Sequence, residues 1–329
     1  MLSIIIPTFN GGARIAACLG ALLEQTAGKG AEILVINDGS TDDTAEVVAR
    51  YSGVRLITQS NAGPAAARNR GALEARGEII LFTDDDCVPA PGWLDAMTVP
   101  FKDPIVVGVK GVYRTRQTEV VARFVQIEYE DKYRLMSGAS EIDFIDTYSA
   151  GFRRERFLEI NGYDVSFPVA CAEDVELSYR MSNRGWIMKF VPAAIVYHRH
   201  PDTLRQYIKK KYKFAFWRVL AVRKNPNKAL RDSHTPQLMK LQLLFVPALL
   251  FAIVCDLVRP KASATLLVCI VFLLSTLSFA WRAATKDLNV GVLSPALLAA
   301  RAFAQIVGVA AGLICAWRTP TKATTQSPA

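Results

Sequence analysis

Three acidic clusters in this chain have the residue types and spacing to act together on a phosphorylated substrate. The densest is Phe82-Thr-Asp-Asp-Asp-Cys87, directly after an apolar run. Adjacent carboxylates repel one another, so a cation or a polyhydroxyl ligand is needed to offset them. Mg²⁺ and Mn²⁺ take oxygen ligands and bridge one or two carboxylates to a diphosphate. On an extended segment Asp84 and Asp86 would point to the same side. The second cluster is Ile36-Asn-Asp-Gly-Ser-Thr-Asp-Asp43. Asp38 ends an apolar run there, Gly39 permits a tight turn, and Ser40 or Thr41 can cap a following helix. Asp38 is either an ordinary turn residue or a carboxylate that hydrogen-bonds a nucleobase. The third cluster, Ala172-Glu-Asp-Val-Glu-Leu-Ser-Tyr-Arg180, opens a helical pattern with Glu173 and Asp174. These are a pair favoured by the helix dipole, or a base that takes the proton of an attacking hydroxyl. Arg68 is either a base or phosphate contact or a surface residue. His198, in Val196-Tyr-His-Arg-His200, is either structural or a ligand of a metal or diphosphate.

Alternating elements must position these groups. Residues 2–6, 32–37, 54–58 and 78–83 read as apolar strands, and residues 14–25, 44–51 and 64–75 as helices between them. Strands apolar throughout, separated by helical spacers, predict βαβ units and a mostly parallel sheet covered on both faces. Ligands bind beyond the carboxyl ends of such strands, where Thr8, Asn10, Asp38 and Asp84 to Asp86 fall. Further strands are expected at 105–113 and 187–191 and a helix at 174–184. Residues 114–147 read as irregular loops that set selectivity.

The chain has 329 residues, a formal net charge of +9 and 51% hydrophobic residues. Its six cysteines form no CxxC pair, which indicates neither a zinc site nor a disulfide framework. The opening residues read as a strand, not a signal peptide. Residues 205–224 mix lysines and arginines with Tyr207, Tyr212, Phe214, Phe216 and Trp217. Such a run suits nucleic acid or an anionic membrane surface. The apolar stretches that follow favour the membrane and exclude nucleic acid as a partner. Residues 241–258 and 262–281 are apolar enough to span a hydrocarbon core. Residues 293–317 are interrupted by Arg301 and Gln305. A charge at mid-bilayer is costly, so this segment is either interfacial in its first half or packed with Arg301 facing protein. The reading divides the chain into a catalytic domain (1–203), a basic amphipathic segment (204–240), a membrane region (241–317) and a disordered tail (318–329).

Taken in order, six motifs resemble glycosyltransferase family 2: Ser3-Ile-Ile-Ile-Pro-Thr-Phe-Asn10, Ile36-Asn-Asp-Gly-Ser-Thr-Asp42, Gly63-Pro-Ala-Ala-Ala-Arg-Asn-Arg-Gly71, Phe82-Thr-Asp-Asp-Asp86, Gly162-Tyr-Asp164 and Glu173-Asp-Val-Glu-Leu177. The resemblance implies an α/β GT-A fold and an inverting transfer from a nucleotide-sugar donor to a lipid-linked or saccharide acceptor. It implies that Pro7, Thr8, Asn10, Asp38, Arg68, Asp84 and Asp85 face the nucleotide sugar. Asp84 and Asp86 match the ends of the D-x-D motif, with Asp86 the direct ligand of Mn²⁺ or Mg²⁺ and His198 as a further ligand. Asp174 matches the catalytic base, with Glu173 beside it. Two departures stand out. Asn37 replaces the usual first acidic residue of D-D-G, and Arg205-Gln-Tyr-Ile replaces Q-x-x-R-W, which argues for single-residue transfer over processive synthesis. The basic run before the first span predicts a catalytic domain on the cytoplasmic side of the inner or plasma membrane. A sugar-phosphate nucleotidyltransferase and an inactive membrane scaffold of the same fold are the alternatives. The first lacks a convincing glycine-rich loop, and the second would have lost its acidic residues.

Overall fold

A computed structural model of the chain describes residues 1–167, 171–228, 233, 235–259 and 263–318. Its first half is built as the hydrophobic pattern dictates. Strands β1 (Leu2–Thr8), β2 (Ala31–Asn37), β3 (Val54–Thr58) and β4 (Ile79–Phe82) pair in parallel in the order β3-β2-β1-β4. Ile4, Ile5, Ile6, Leu34, Val35, Ile36 and Leu81 are buried because both faces are covered. Helices α1 (Gly12–Thr26) and α2 (Thr44–Ala49) cover one face through Ile15, Leu19, Leu22, Val47 and Val48, and α3 (Pro64–Glu74) covers the other through Ala65, Ala67 and Ala72.

Beyond β4 the sheet becomes mixed. It continues through β7 (Ala150–Arg153), β6 (Val106–Arg114), β8 (Ile187–Tyr197) and the short β5 (Val88–Pro89). β7 is antiparallel to both β4 and β6, whereas β6 and β8 are parallel. The strand expected at 187–191 thus runs on to Tyr197, with irregular register against β6, and delivers His198 to the end of β4. Helices α4 (Trp93–Thr98), α6 (Arg154–Glu159) and α7 (Glu173–Asn183) complete this layer.

The expected irregular stretch at 114–147 is corrected: it holds α5 (Val120–Ser137), an 18-residue helix. Its apolar positions serve two masters, which blurred a single stripe in the sequence. Tyr133 and Met136 pack under the sheet, whereas Phe124, Val125 and Ile127 pack with Phe272, Phe279, Leu297 and Leu298 of the C-terminal helices.

The C-terminal part comprises α8 (Leu204–Lys224), α9 (Gln237–Leu243), α10 (Phe245–Val258), α11 (Ala264–Ala284) and α12 (Leu288–Arg318). Three segments, Gln237–Val258, Ala264–Ala284 and Leu288–Trp317, are long and apolar enough to cross a membrane. The third begins earlier than residue 293 and contains Arg301, which faces protein. Arg301 is buried and donates to Glu128 of α5 at 2.7 Å and to Gln242 of α9 at 2.5 Å. The basic helix α8 runs beside α12. Gly308 and Gly312 let the two backbones approach, since a Cβ at either would lie 2.5 Å from Tyr212 O or 2.7 Å from Phe216 O. This spacing of small residues is a close-packing device in apolar helices, and it was present in the sequence as Gly308-x-x-x-Gly312. The expected tail lies outside the described residues beyond Arg318.

Candidate active site

The carboxyl ends of β1 and β2 form a braced shelf. Asn10, in a left-handed conformation (φ 50°), accepts from Thr41 N at 2.8 Å, and its own N–H donates to Ser40 Oγ. Asp38 is buried and organises the loop into α3: it accepts from Gln59 Nε2 and Ala62 N through one oxygen and from Gly63 N through the other. Gly39 (φ +76°) is required, because a Cβ there would meet Asn61 N at 2.8 Å. Asn37 is buried and accepts from Ser40 N, so it shapes the turn. Pro7 is half-buried on β1 just past the last residue paired with β4, where its missing N–H interrupts no ladder on that side.

The three consecutive aspartates part company. The segment is a turn closed by Cys87 N donating to Asp84 O, not the extended strand expected. Its carboxylates therefore take three directions. Asp84 reaches Arg68, Asp86 reaches His198 at 3.3 Å, and Asp85 turns back into the protein. Asp85 accepts from Thr8 Oγ1 at 2.6 Å and forms a two-pronged pair with Arg14. Of the residues expected to face a nucleotide sugar, Thr8 and Asp85 are thus engaged with each other. Gly11 makes room for this, since a Cβ there would lie 2.3 Å from Asp85 Oδ2.

Arg68 is the buried hinge of the site. It is 2% exposed and donates to Asp84 at 2.7 Å and Glu173 at 3.2 Å, joining two motifs about 90 residues apart in sequence. Its guanidinium also lies 5.7 Å from the centre of the Tyr163 ring. Asn69, next on α3, holds the 161–164 loop through Tyr163 N and O. Glu173 accepts from Cys171 N and Ala172 N, fixing the start of α7. Asp174 follows it at the cavity wall. Burial pushes its carboxyl up to about 8, helped by the negative charges of Glu173 and Asp146 and opposed by the Val175 N–H and by Arg68.

A cavity of about 550 Å³ opens from these groups toward α5 and α8. Asp84, Glu173, Asp174 and His198 line it; Pro7, Thr8, Asn10, Asp38 and Asp85 do not. Its opposite wall, which reading of the sequence missed, is basic and aromatic: Lys132, Lys209, Lys210, Lys213 and Arg218 with Tyr129, Tyr133 and Phe214. At its base Lys110 is buried and paired with Asp146. Lys132 lies on α5, which the sequence did not reveal as a helix. The lysines of α8 were visible, but nothing local showed that they face the acidic turn.

A candidate donor set for a divalent cation lies beside the acidic turn. One ligand atom each from Asp86, Cys87 and His198 lies within 4.8 Å of the others. Burial, with the negative charges of Asp84 and Asp86, holds the Cys87 thiol well above its usual range. Asp86, by contrast, sits below the usual range: its burial is outweighed by the His198 hydrogen bond and the positive charge of Arg14. One carboxylate and one imidazole, Asp86 and His198, are the oxygen and nitrogen donors of this set, a chemistry that suits Mn²⁺ and, through the oxygen, Mg²⁺.

The family described as "Glycosyl transferase family 2" matches residues 3–160. The chain is 24% identical over 219 residues to the pre-mycofactocin glycosyltransferase of Mycobacterium tuberculosis, covering 64% of this chain and 45% of the relative. It is 40% identical over 109 residues to the uncharacterized glycosyltransferase YibD of Escherichia coli, covering 32% and 31%. The chain thus spans about half or less of the length of these relatives. A mannosyltransferase of Pyrobaculum calidifontis, solved with GDP-Man and Mn²⁺, superposes with a TM-score of 0.64 at 20% identity, covering 93% of this chain and 86% of that one. The likeness establishes the fold, including the C-terminal helices within that coverage. On these matches the fold is GT-A, and residues 3–160 match glycosyl transferase family 2.

Proposed function

We propose that this chain is a membrane-anchored, metal-dependent inverting glycosyltransferase that moves one sugar from a nucleotide-sugar donor to a lipid-linked or saccharide acceptor in cell-envelope polysaccharide or glycolipid synthesis. The carrying observation is the buried Arg68 joining Asp84 to Glu173, which brings the acidic turn and the start of α7 to one cavity. In this reading Asn10, Asp38 and the loop they brace receive the nucleoside. Asp84, Asp86 and His198 would hold Mn²⁺ or Mg²⁺, whose charge offsets that of the departing nucleoside diphosphate. Asp174, whose carboxyl is pushed up by burial and by its acidic neighbours, must be ionised to act as the base. It then takes the proton of the acceptor hydroxyl. The protein otherwise aligns the two substrates. The three apolar helices anchor it, and the lysines and arginines of α8 favour a catalytic domain facing the cytoplasm.

The test uses the full chain in nanodiscs. Asp86→Ala and Asp174→Asn each abolish transfer while the unfolding temperature stays within a few degrees. Chelation stops the wild-type reaction and Mn²⁺ restores it. Full turnover by Asp174→Asn removes the base assignment, and activity indifferent to chelator removes the metal.

A further inference from the structure

The acidic turn carries a donor that the proposed reaction does not use. Cys87 follows Asp86 directly, and its sulfur lies 3.7 Å from Asp86 Oδ1. On the other side of the same carboxylate, His198 Nε2 lies 3.3 Å from Asp86 Oδ2. One ligand atom from each of the three residues falls within 4.8 Å of the others. A tetrahedral ion with bonds of about 2.0–2.3 Å to oxygen, nitrogen and sulfur holds those atoms roughly 3.3–3.6 Å from one another. Side-chain shifts of about 1 Å therefore close this set on a single ion.

The surroundings leave these three side chains to act together. Asp84 is paired with Arg68 and Asp85 with Arg14, whereas Asp86 makes its contacts with His198 and Cys87. The backbone under the donors is fixed: Cys87 N closes the turn on Asp84 O, and His198 N donates to Arg114 O. Nδ1 of His198 is buried with no hydrogen-bond partner. No second contact commits the tautomer of the ring, so Nε2 can change from donating to Asp86 to presenting a lone pair to an ion. Cys87 is buried, but the Asp86 side chain is 40% exposed, which gives an ion a route of entry. Three protein donors with one open side is the pattern of an exchangeable four-coordinate site. No CxxC spacing announces it, because His198 arrives from the far end of β8.

Ligand softness decides which ion gains from the third donor. Sulfur ligands select Zn²⁺ and softer ions, whereas Mn²⁺ and Mg²⁺ suit oxygen and imidazole. We infer that Asp86, Cys87 and His198 form a site for a thiophilic divalent cation of the Zn²⁺ class, which excludes Mn²⁺ by taking Asp86 and His198 from it. The Cys87 proton passes to the buffer as the metal–sulfur bond forms. Asp84 stays with Arg68. The site stands on the cluster alone, and its inhibitory consequence rests on the metal-dependent glycosyltransferase reading.

The experiment uses the full, untagged chain in nanodiscs, stripped of metal. Co²⁺ serves as the spectroscopic stand-in for Zn²⁺, because a cobalt–thiolate bond gives a charge-transfer band in the near ultraviolet that oxygen and imidazole ligands do not. Wild type is expected to show this band and to lose it when Zn²⁺ is added. Cys87→Ser, Asp86→Asn and His198→Gln are each expected to lack it; the other cysteines are present in every protein and cancel in the comparison. Zn²⁺ affinity falls at least about tenfold in Cys87→Ser, since even groups that only support a ligand are worth that much. The preference for Zn²⁺ over Mn²⁺ narrows with it. A band absent from wild type, or surviving in Cys87→Ser, overturns the site. If Cys87→Ser does not fold, the partly exposed Asp86→Asn decides, and a band retained there overturns the site. Mn²⁺ binding is followed by the EPR signal of the free ion. Zn²⁺ that binds without displacing Mn²⁺ overturns the exclusion. A wild type that never binds Mn²⁺, with or without a nucleoside diphosphate, overturns the metal-dependent glycosyltransferase reading and leaves the cobalt spectrum to judge the thiol.

Discussion

The buried network around Glu128 sets how α5 sits on the C-terminal helices, and its cost of disruption follows from its contacts. Glu128 is 5% exposed and receives Arg301 at 2.7 Å, Lys211 at 2.9 Å and Tyr207 at 3.2 Å. Its carboxyl is held at about 2: burial alone would raise it, and Lys211 and Arg301 more than reverse that. Replacing Glu128 by Leu leaves two cations buried without their anion, a change that costs about 3–5 kcal/mol. Replacing Arg301 by Leu is milder, about 1–3 kcal/mol, because Lys211 and Tyr207 still satisfy Glu128. The Glu128→Leu/Arg301→Leu pair is expected to be less destabilised than the sum of the single changes by at least ~1 kcal/mol. Unfolding temperature in detergent micelles, followed by tryptophan fluorescence, measures all four proteins. At roughly 2–4 °C per kcal/mol for a chain of this size, Glu128→Leu falls by on the order of 10 °C. A wild-type melting temperature in Glu128→Leu, or strict additivity in the double variant, would refute the claim that this pair joins the two parts.

Two further outcomes follow from the site and the helix packing. Asp174 is raised to about 8 by burial and its acidic neighbours, so the folded state holds a proton that the unfolded chain releases near the ordinary carboxylate range. Its contribution to stability is therefore complete at low pH and is lost as pH rises through about 8. Wild type should lose more melting temperature than Asp174→Asn between pH 6 and 9; parallel Tm curves would contradict this. Gly312→Leu places a Cβ 2.7 Å from Phe216 O and forces α8 away from α12, costing about 1–3 kcal/mol, and a variant that melts with the wild type would show the helices are not held there.

Much of this architecture was legible locally because apolar periodicity is a local property. The parallel strands β1 to β4, the helices between them and the start of α7 fall close to where the pattern placed them, and three apolar segments were visible by composition alone. Helix α5 was not legible, because one helix serves two cores and its charged residues Glu128, Glu130 and Asp131 are spent on partners more than 150 residues away, among them Arg301, Lys286 and Arg282. The sequence left open whether Arg301 meets lipid or protein; only packing of α12 on α5 decided it.

The acidic motifs themselves were written in the sequence, as residue types at the ends of strands. Their directions were not. Asp84, Asp85 and Asp86 are chemically equivalent neighbours, and a turn closed by one backbone hydrogen bond sends one to Arg68, one to Arg14 and one to His198. Which carboxylate faces a cavity depends on side chains brought from α3, α1 and β8, and no local pattern records such meetings. The same holds for the basic wall of the cavity, where Lys132 of α5 and Arg218 of α8 meet only in the folded chain.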